Sequence, residues 1–196
     1  MDVPAPTLPG APAGRYSAEQ YLRLVDDGVL GPDDRVELLE GVVVAMAAQN
    51  SPHASGVARA NHVLGVAAGE RAVVRTQLTF LAGDYSVPEP DVAIVPGRYE
   101  DYDRVHPRTA LLIVEVADTS LAQDRLTKAV IYAAAGIPEY WIVAIRGQRV
   151  EVHRDPDPKQ RCYRTRSFTR RGDEIARVAL PGAIVAVADL LPVVDV

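Results

Sequence analysis

The strongest constraint on the fold is a nearly continuous apolar run between Ala110 and Val116, with the sequence Ala-Leu-Leu-Ile-Val-Glu-Val. Branched apolar residues at consecutive positions are typical of a strand that is buried on both faces. Such a strand lies inside a sheet that other elements cover on both sides. The run therefore predicts a layered α/β or α+β fold.

The segments around this run fit one domain. Ser17 to Gly28 is predicted to be a short helix that begins with a capping box, and Glu40-Gly41 a tight turn between two short strands. Ser51, followed by a proline, is predicted to cap a helix that ends near Gly69. The remaining predicted elements are strands at 72–81, 90–95, 110–116, 140–145 and 149–154 and a helix at 120–135, capped by Ser120 with Gln123. Four prolines in residues 1–15 predict a flexible arm, which leaves 16–196 as the single domain.

Composition excludes several classes of protein. With 48% hydrophobic and 24% charged residues the chain has the balance of an ordinary soluble domain. Its apolar runs are far shorter than the roughly 18 residues of a membrane span, and no signal-peptide pattern is present. We therefore expect a cytoplasmic protein with no membrane contact. The single cysteine, Cys162, excludes internal disulfides and thiolate metal sites, so oxygen or imidazole must hold any metal.

The charge is unevenly distributed. A net charge of −5 argues against a protein that coats nucleic acid, although it does not exclude an enzyme that acts on it. Residues 146–177 nevertheless hold ten basic and five acidic residues. This stretch could follow a phosphate backbone, with Arg164 and Arg166 acting together on one strand face, or it could be the solvated face of an edge hairpin.

Three polar residues in the middle of the chain form a candidate site. Asp91 opens a predicted strand, Glu115 interrupts the apolar run, and Lys128 follows in the next helix, four residues after Asp124. If the two strands are neighbours, Asp91 and Glu115 can converge on Mg²⁺ or Mn²⁺. A lysine ammonium nearby would orient a water molecule and stabilise developing charge. Lysine can also lose a proton when it is partly desolvated, whereas arginine cannot.

Each of these residues also has an ordinary structural explanation. A Pro-Asp pair at a strand start usually forms a turn, Glu115 could reach solvent from a strand end, and Lys128 could be a solvated partner of Asp124. Glu37, in the first extended segment, could supply a further carboxylate or remain at the surface.

The four histidines give a weaker signal. His53 could contact a ligand, but packing against Val57 is the more common arrangement and is the one we expect. His62, His106 and His153 lack the spacing of a metal site, and we expect them at the surface.

Five segments together resemble a known family. They are Val36-Glu-Leu-Leu-Glu-Gly41, Pro90-Asp91-Val-Ala-Ile-Val95, Leu112-Ile-Val-Glu-Val116, Asp124-Arg125-Leu-Thr-Lys128 and Ile131-Tyr-Ala-Ala-Ala-Gly-Ile-Pro-Glu-Tyr-Trp-Ile-Val143. Over about residues 16–154 the chain resembles the Uma-two type family of putative restriction endonucleases, within the PD-(D/E)XK nuclease superfamily.

The resemblance implies both a fold and a function. The fold would be the restriction-endonuclease-like core, a central mixed β-sheet flanked by helices. Asp91 and Glu115 would bind Mg²⁺ or Mn²⁺, and the protein would hydrolyse phosphodiester bonds in nucleic acid, with DNA as the expected substrate. Ala117 stands where the superfamily usually has its lysine, so Lys128 would take the role of that lysine in orienting the attacking water. Glu89 replaces a frequent glutamine and would either bind metal or repel phosphate.

Two further expectations concern assembly and the alternatives to this function. A nuclease that cuts both strands of a duplex is most simply a symmetric dimer. Tyr132, Tyr140 and Trp141 near Ile131 are expected to form an aromatic surface, so we predict a homodimer. The alternative is a non-catalytic module with the same fold that acts in dimerisation or regulation. A metal-dependent phosphatase for small substrates is the third possibility.

Overall fold

The computed structural model describes residues 14–31, 33–176, 182 and 184–193. Most of the arm predicted over residues 1–15 lies outside this part of the chain. Within it, no helix combines the length and the apolar character that crossing a membrane requires.

The N-terminal elements follow the predicted pattern. They are α1 (Ala18–Asp26), β1 (Val36–Leu39), β2 (Val42–Ala45) and α2 (Ser51–Ala68). Ser17 Oγ accepts a hydrogen bond from Gln20 N–H while the Gln20 side chain accepts one from Ser17 N–H, which is the predicted capping box. Between β1 and β2, Glu40 and Gly41 have φ angles of 53° and 81°. Two positive φ angles are what a type I′ hairpin turn requires.

The start of α2 corrects a prediction. Asn50, rather than Ser51, is the N-cap, because its side chain accepts a hydrogen bond from His53 N–H at 3.0 Å. Ser51 is already helical, and Pro52 lies in the first turn, where its missing N–H costs nothing. The cap fixes the position of His53 at the end of α2 that faces the candidate site described below.

Six strands form the main sheet, in the order β3-β4-β5-β6-β7-β8. They are β3 (Val73–Thr76), β4 (Val92–Val95), β5 (Leu112–Ala117), β6 (Glu139–Ala144), β7 (Arg149–Asp157) and β8 (Cys162–Arg170). β5 and β6 are parallel and every other neighbouring pair is antiparallel, so the sheet is mixed, as expected. β3 is shorter than predicted because Gln77, directly after it, has a φ of 52° and leaves the extended conformation.

A helical connection joins β5 to β6 and contains an unusual turn. It consists of α3 (Leu121–Gln123), a π-helical turn (Asp124–Lys128) and α4 (Ala129–Ala134). The predicted helix is therefore present with Ser120 as its N-cap residue, but the Ser120 hydroxyl donates to Asp124 at 2.7 Å and makes no capping hydrogen bond. β9 (Glu174–Ala176), β10 (Ile184–Ala186) and α5 (Val187–Leu190) complete the described chain.

The sheet is covered on both faces, as the apolar run predicted. Leu112, Val114 and Val116 of β5 pack in the layer that contains α2 and α5, whereas Ile113 packs in the layer that contains α4. Alternation along the strand places Glu115 on the same face as Ile113. This face, beneath the helical connection, carries the candidate site.

The aromatic surface expected near Ile131 is not formed. Ile131, Tyr132, Tyr140 and Trp141 are each at most 1% exposed. Tyr140 and Trp141 are neighbours on β6, so their side chains enter opposite core layers. The prediction was wrong because a strand that is buried on both faces hides aromatic residues at consecutive positions. This segment therefore gives no argument for a dimer.

One of the histidines expected at the surface is buried. His62 and His106 are exposed, but His153 is only 6% exposed and lies against Tyr140 and Tyr163. Its position on β7, an inner strand of the sheet, accounts for the difference.

Candidate active site

Asp91 and Glu115 lie at one edge of the sheet. β4 and β5 are antiparallel neighbours with Val92 opposite Val114, so the residue that precedes β4 comes beside the carboxyl end of β5. The backbone N–H of Val116 donates to Asp91 Oδ2 at 2.8 Å. The two carboxylates therefore occupy neighbouring positions, as the sequence predicted for adjacent strands.

Lys128 completes a buried ionic cluster with Glu115 and Glu37. Its ammonium Nζ lies 3.0 Å from Glu115 Oε1 and 3.4 Å from Glu37 Oε2. All three side chains are at most 8% exposed. Burial by itself would lower the pKa of Lys128, but Glu115 and Glu37 raise it above its ordinary value. The lysine is therefore a fixed ammonium at neutral pH rather than a proton acceptor.

Glu115 accepts a second hydrogen bond on the same oxygen. The hydroxyl of Tyr132, one turn after Lys128, donates to Glu115 Oε1 at 2.8 Å. Burial raises the pKa of Glu115 well above its usual value, an effect that Lys128 opposes. The helical connection thus holds Glu115 from one side with two donors, and sequence reasoning identified only one of them.

Asp91 is held by three donors from separate elements. Besides Val116 N–H, the Gln77 amide donates to Asp91 Oδ1 at 3.2 Å, and His53 Nε2 lies 3.2 Å from Asp91 Oδ2. The expectation that His53 only packs against Val57 was wrong. The bond to Asp91 raises the pKa of His53, although burial works against this shift.

Gln77 is a site residue that sequence reasoning missed. Its left-handed backbone, with φ of 52°, is uncommon for a residue other than glycine and carries a strain cost. Its N–H donates to the carbonyl groups of Pro90 and Asp91, at 3.1 and 3.2 Å, while its side chain holds the Asp91 carboxylate. No pattern in the sequence marks this conformation, because tertiary contacts impose it.

The pocket around these residues carries excess negative charge. It encloses a cavity of about 70 Å³, and its lining includes Glu37, Glu89, Asp91, Glu115 and Asp124 together with Lys128 and Arg35. Burial and the Glu37 carboxylate raise the pKa of Glu89, and burial raises the pKa of Asp124 to about 6. Asp118 also lines this pocket, so six carboxyl groups share the space with the charges of Lys128 and Arg35.

Comparison with known proteins places this chain in a family. The sequence profile of Uma2, described as a putative restriction endonuclease, matches residues 18–188. The chain belongs to the Uma2 family. No curated protein sequence matches it significantly.

A solved structure has the same fold as this Uma2 protein. It is the crystal structure of a putative nuclease of the family DUF820 from Anabaena variabilis, which superimposes with a TM-score of 0.71. The alignment covers 89% of this chain and 97% of the other at 15% sequence identity. The expected nuclease fold is therefore confirmed, and Uma2 membership supports nuclease function in general terms.

In this Uma2 protein the positive charge beside Glu115 comes from the helical connection and not from β5. Ala117, two residues after Glu115, is apolar and buried. Lys128 approaches Glu115 from the π turn instead. π turns occur frequently at functional sites, where the extra residue changes the direction of neighbouring side chains. Here both Asp124 and Lys128 are buried within the pocket.

Proposed function

We propose that this protein is a metal-dependent endonuclease that hydrolyses phosphodiester bonds in DNA. The observation that carries the proposal is the buried contact of Lys128 with Glu115 beside Asp91, in a pocket at the strand ends of a nuclease fold. In the proposal Asp91 and Glu115 are metal ligands, Lys128 orients the attacking water, and Glu37 holds Lys128 in place.

The donor set suits a hard divalent cation. Mg²⁺ is bound in proteins by one or two carboxylates, with water and phosphate oxygens completing its coordination. Among the described residues no three His, Cys, Asp or Glu side chains form a complete metal cage, and Mg²⁺ does not require one. Burial raises the pKa values of Glu89, Glu115 and Asp124, and a cation bound among them would favour their ionised forms. Mg²⁺ or Mn²⁺ bound by Asp91 and Glu115 would supply Lewis-acid stabilisation and a more acidic water molecule.

The protein side chains have separate roles in this proposal. Lys128 presents a fixed ammonium that stabilises negative charge on the phosphate and holds a water molecule by hydrogen bonding. Tyr132 keeps Glu115 oriented through its hydroxyl bond. His53 and Gln77 orient Asp91, so that both proposed ligands are held before substrate arrives.

The decisive experiment measures cleavage of supercoiled and linear DNA with Mg²⁺, Mn²⁺ or EDTA. We expect metal-dependent cleavage by the unchanged protein and loss of cleavage in Asp91→Ala and Glu115→Ala. Glu19→Gln, at an exposed position on α1, is the matched control and should cleave normally. Cleavage by Glu115→Ala at the unchanged rate would overturn the assignment. Absence of DNA cleavage with every metal would overturn the proposal and favour the non-catalytic module or the phosphatase.

A further inference from the structure

Six arginines of the basic stretch differ in how they pair with carboxylates. Four of its arginines each form an ion pair with a different carboxylate: Arg146 with Asp118, Arg154 with Glu139, Arg161 with Glu40 and Arg164 with Asp157. Arg149 and Arg166 instead share one carboxylate, that of Glu151, with Arg125 from the helical connection. Around Glu151, three guanidinium groups therefore share a single carboxylate, which leaves positive charge in excess there.

Glu151 fixes the positions of the three guanidinium groups. Its side chain is fully buried, and its Oε2 accepts from Arg166 Nη2 at 2.6 Å and from Arg125 Nε at 2.9 Å. Its Oε1 accepts from Arg149 Nη2 at 3.1 Å and also from Arg125. A buried carboxylate with this many donors holds the arginine side chains in place, so that a later ligand does not have to order them.

The outer faces of these arginines remain accessible. The side chains of Arg125, Arg149 and Arg166 are 29%, 33% and 40% exposed. Each guanidinium carries five donors, more than its contacts with Glu151 use. Arg149 and Arg166 also lie over the exposed ring of Phe168, with 5.2 and 4.8 Å from guanidinium carbon to ring centroid. We name the surface formed by Arg125, Arg149, Arg166 and Phe168 the arginine platform.

The arginine platform lies on the same sheet face as the candidate active site. Glu115 pairs with Ile142, Ile142 with Glu151, and Glu151 with Phe168, which places these four side chains in one row across four strands. At about 4.8 Å between neighbouring strands, the backbone of Glu151 lies roughly 10 Å from that of Glu115 across the sheet. Arg125 itself belongs to the π turn that carries Lys128.

Electrostatic behaviour around the platform is consistent with excess positive charge. Burial and the nearby positive charge of Arg166 together lower the pKa of His153 to about 4. Burial would raise the pKa of Glu151, but hydrogen bonds from Arg125 and Arg166 lower it to about 2. Three arginines share the single negative charge of Glu151, so the cluster has a net charge of +2. The whole protein, by contrast, has a net charge of −5.

We propose that the arginine platform binds backbone phosphate groups of DNA next to the cleaved bond. The identity of the polymer rests on the proposed function, whereas the phosphate chemistry follows from the geometry of the platform. Planar guanidinium groups bind phosphate through paired hydrogen bonds. Arg164, on the same strand but matched by Asp157, lies outside the platform. Arg164 and Arg166, which the sequence pattern placed on one strand face, therefore differ in their surroundings: only Arg166 belongs to the platform.

The test compares Arg166→Gln and Arg149→Gln with the matched control Arg164→Gln, which removes the same charge from the same hairpin. Binding of a fluorescein-labelled DNA duplex of arbitrary sequence is measured by anisotropy in EDTA, over a range of salt concentrations. Each lost phosphate contact should reduce the slope of log affinity against log salt by about 0.9. We expect this reduction in Arg166→Gln and Arg149→Gln, and an unchanged slope in Arg164→Gln. Arg166→Lys, which keeps the charge, should restore most of the slope.

The outcomes separate the platform from the catalytic proposal. Equal slopes in Arg166→Gln, Arg164→Gln and the unchanged protein would overturn the platform, while cleavage by the unchanged protein would leave the nuclease proposal standing. A reduced slope in Arg166→Gln without any metal-dependent cleavage would support the platform and overturn the nuclease. Absence of DNA binding by the unchanged protein would overturn both. Circular dichroism melting of each variant verifies that it is folded. If Arg166→Gln does not fold, the salt dependence of DNA binding by Arg149→Gln decides the test.

Discussion

Lys128 and Glu115 form a buried ion pair between the π turn and β5, with 3.0 Å between Nζ and Oε1. Glu37, from the first hairpin, is the second partner of the same ammonium. The site therefore joins three elements that are distant in the sequence. Removing the ammonium would leave two buried carboxylates without their shared partner.

The first prediction concerns folding stability. Lys128→Met should lower the free energy of unfolding by about 3 kcal/mol, because breaking a buried ion pair leaves uncompensated charge. Adding Glu115→Gln should recover part of this loss, since one of the stranded carboxylates is removed. Urea unfolding at neutral pH measures both effects. The only other lysine, Lys159, is exposed, and Lys159→Met is the control that should change little. Additive effects of the two site substitutions would contradict the coupling.

The second prediction separates charge from geometry. Lys128→Arg keeps the positive charge, so DNA binding should survive. The larger planar guanidinium cannot occupy the position of the ammonium between Glu115 and Glu37, and turnover should fall about a hundredfold or more. Single-turnover cleavage and binding are measured together, with Lys159→Arg as the control. Full turnover in Lys128→Arg would remove Lys128 from the mechanism.

The sequence predicted the parts of the site that depend on strand position. Asp91 and Glu115 follow from two apolar strands, and Lys128 from its place in the next helix. Gln77 could not be predicted, because its left-handed backbone is imposed by contacts with the Pro90-Asp91 segment. His53 was misjudged because its contact with Asp91 joins two residues that are distant in the sequence, which a local pattern does not contain.

Two features that the sequence could not resolve have a common physical origin. Consecutive aromatic residues on β6 suggested a surface, yet a strand buried on both faces hides both of them. The basic stretch was compatible with a phosphate-binding stripe or with a solvated edge hairpin, and its arginines differ in the carboxylates they contact. In both cases the outcome depends on neighbours across the sheet, which a local sequence pattern does not contain.

The third prediction concerns Gln77 as a positioning residue. Gln77→Gly accepts the left-handed backbone without strain, so the free energy of unfolding should stay close to that of the unchanged protein. Loss of the amide bond to Asp91 should weaken Mn²⁺ affinity and reduce cleavage by about tenfold or more. Titration calorimetry with Mn²⁺ gives a readout that is independent of turnover. Unchanged Mn²⁺ affinity in Gln77→Gly would show that the amide does not orient a ligand.

The fourth prediction tests metal binding without catalysis. A cation that binds only the folded protein stabilises it by mass action, by about 2.7 kcal/mol at a hundred times Kd. Ca²⁺ or Mn²⁺ at millimolar concentration should therefore raise the melting temperature by several degrees. Asp91→Asn and Glu115→Gln should abolish this increase, whereas Glu19→Gln should retain it. An equal increase in all variants would locate the cation elsewhere.

The last prediction concerns the pH dependence that Glu151 confers. Its pKa in the folded protein is about 2, because the arginine bonds outweigh the effect of burial, whereas in the unfolded chain it returns to the ordinary value of 4.5. A lowered pKa in the folded state stabilises the protein above pH 4.5, and this contribution is lost as the pH falls from 4.5 towards 2. Because solvent reaches the partly exposed arginines, we expect this contribution to the free energy of unfolding to be about 2 kcal/mol. Urea unfolding should therefore show Glu151→Gln less stable than the unchanged protein at pH 7, with a difference that shrinks by pH 3. A difference independent of pH would mean that Glu151 stabilises the hairpin through packing rather than through its charge.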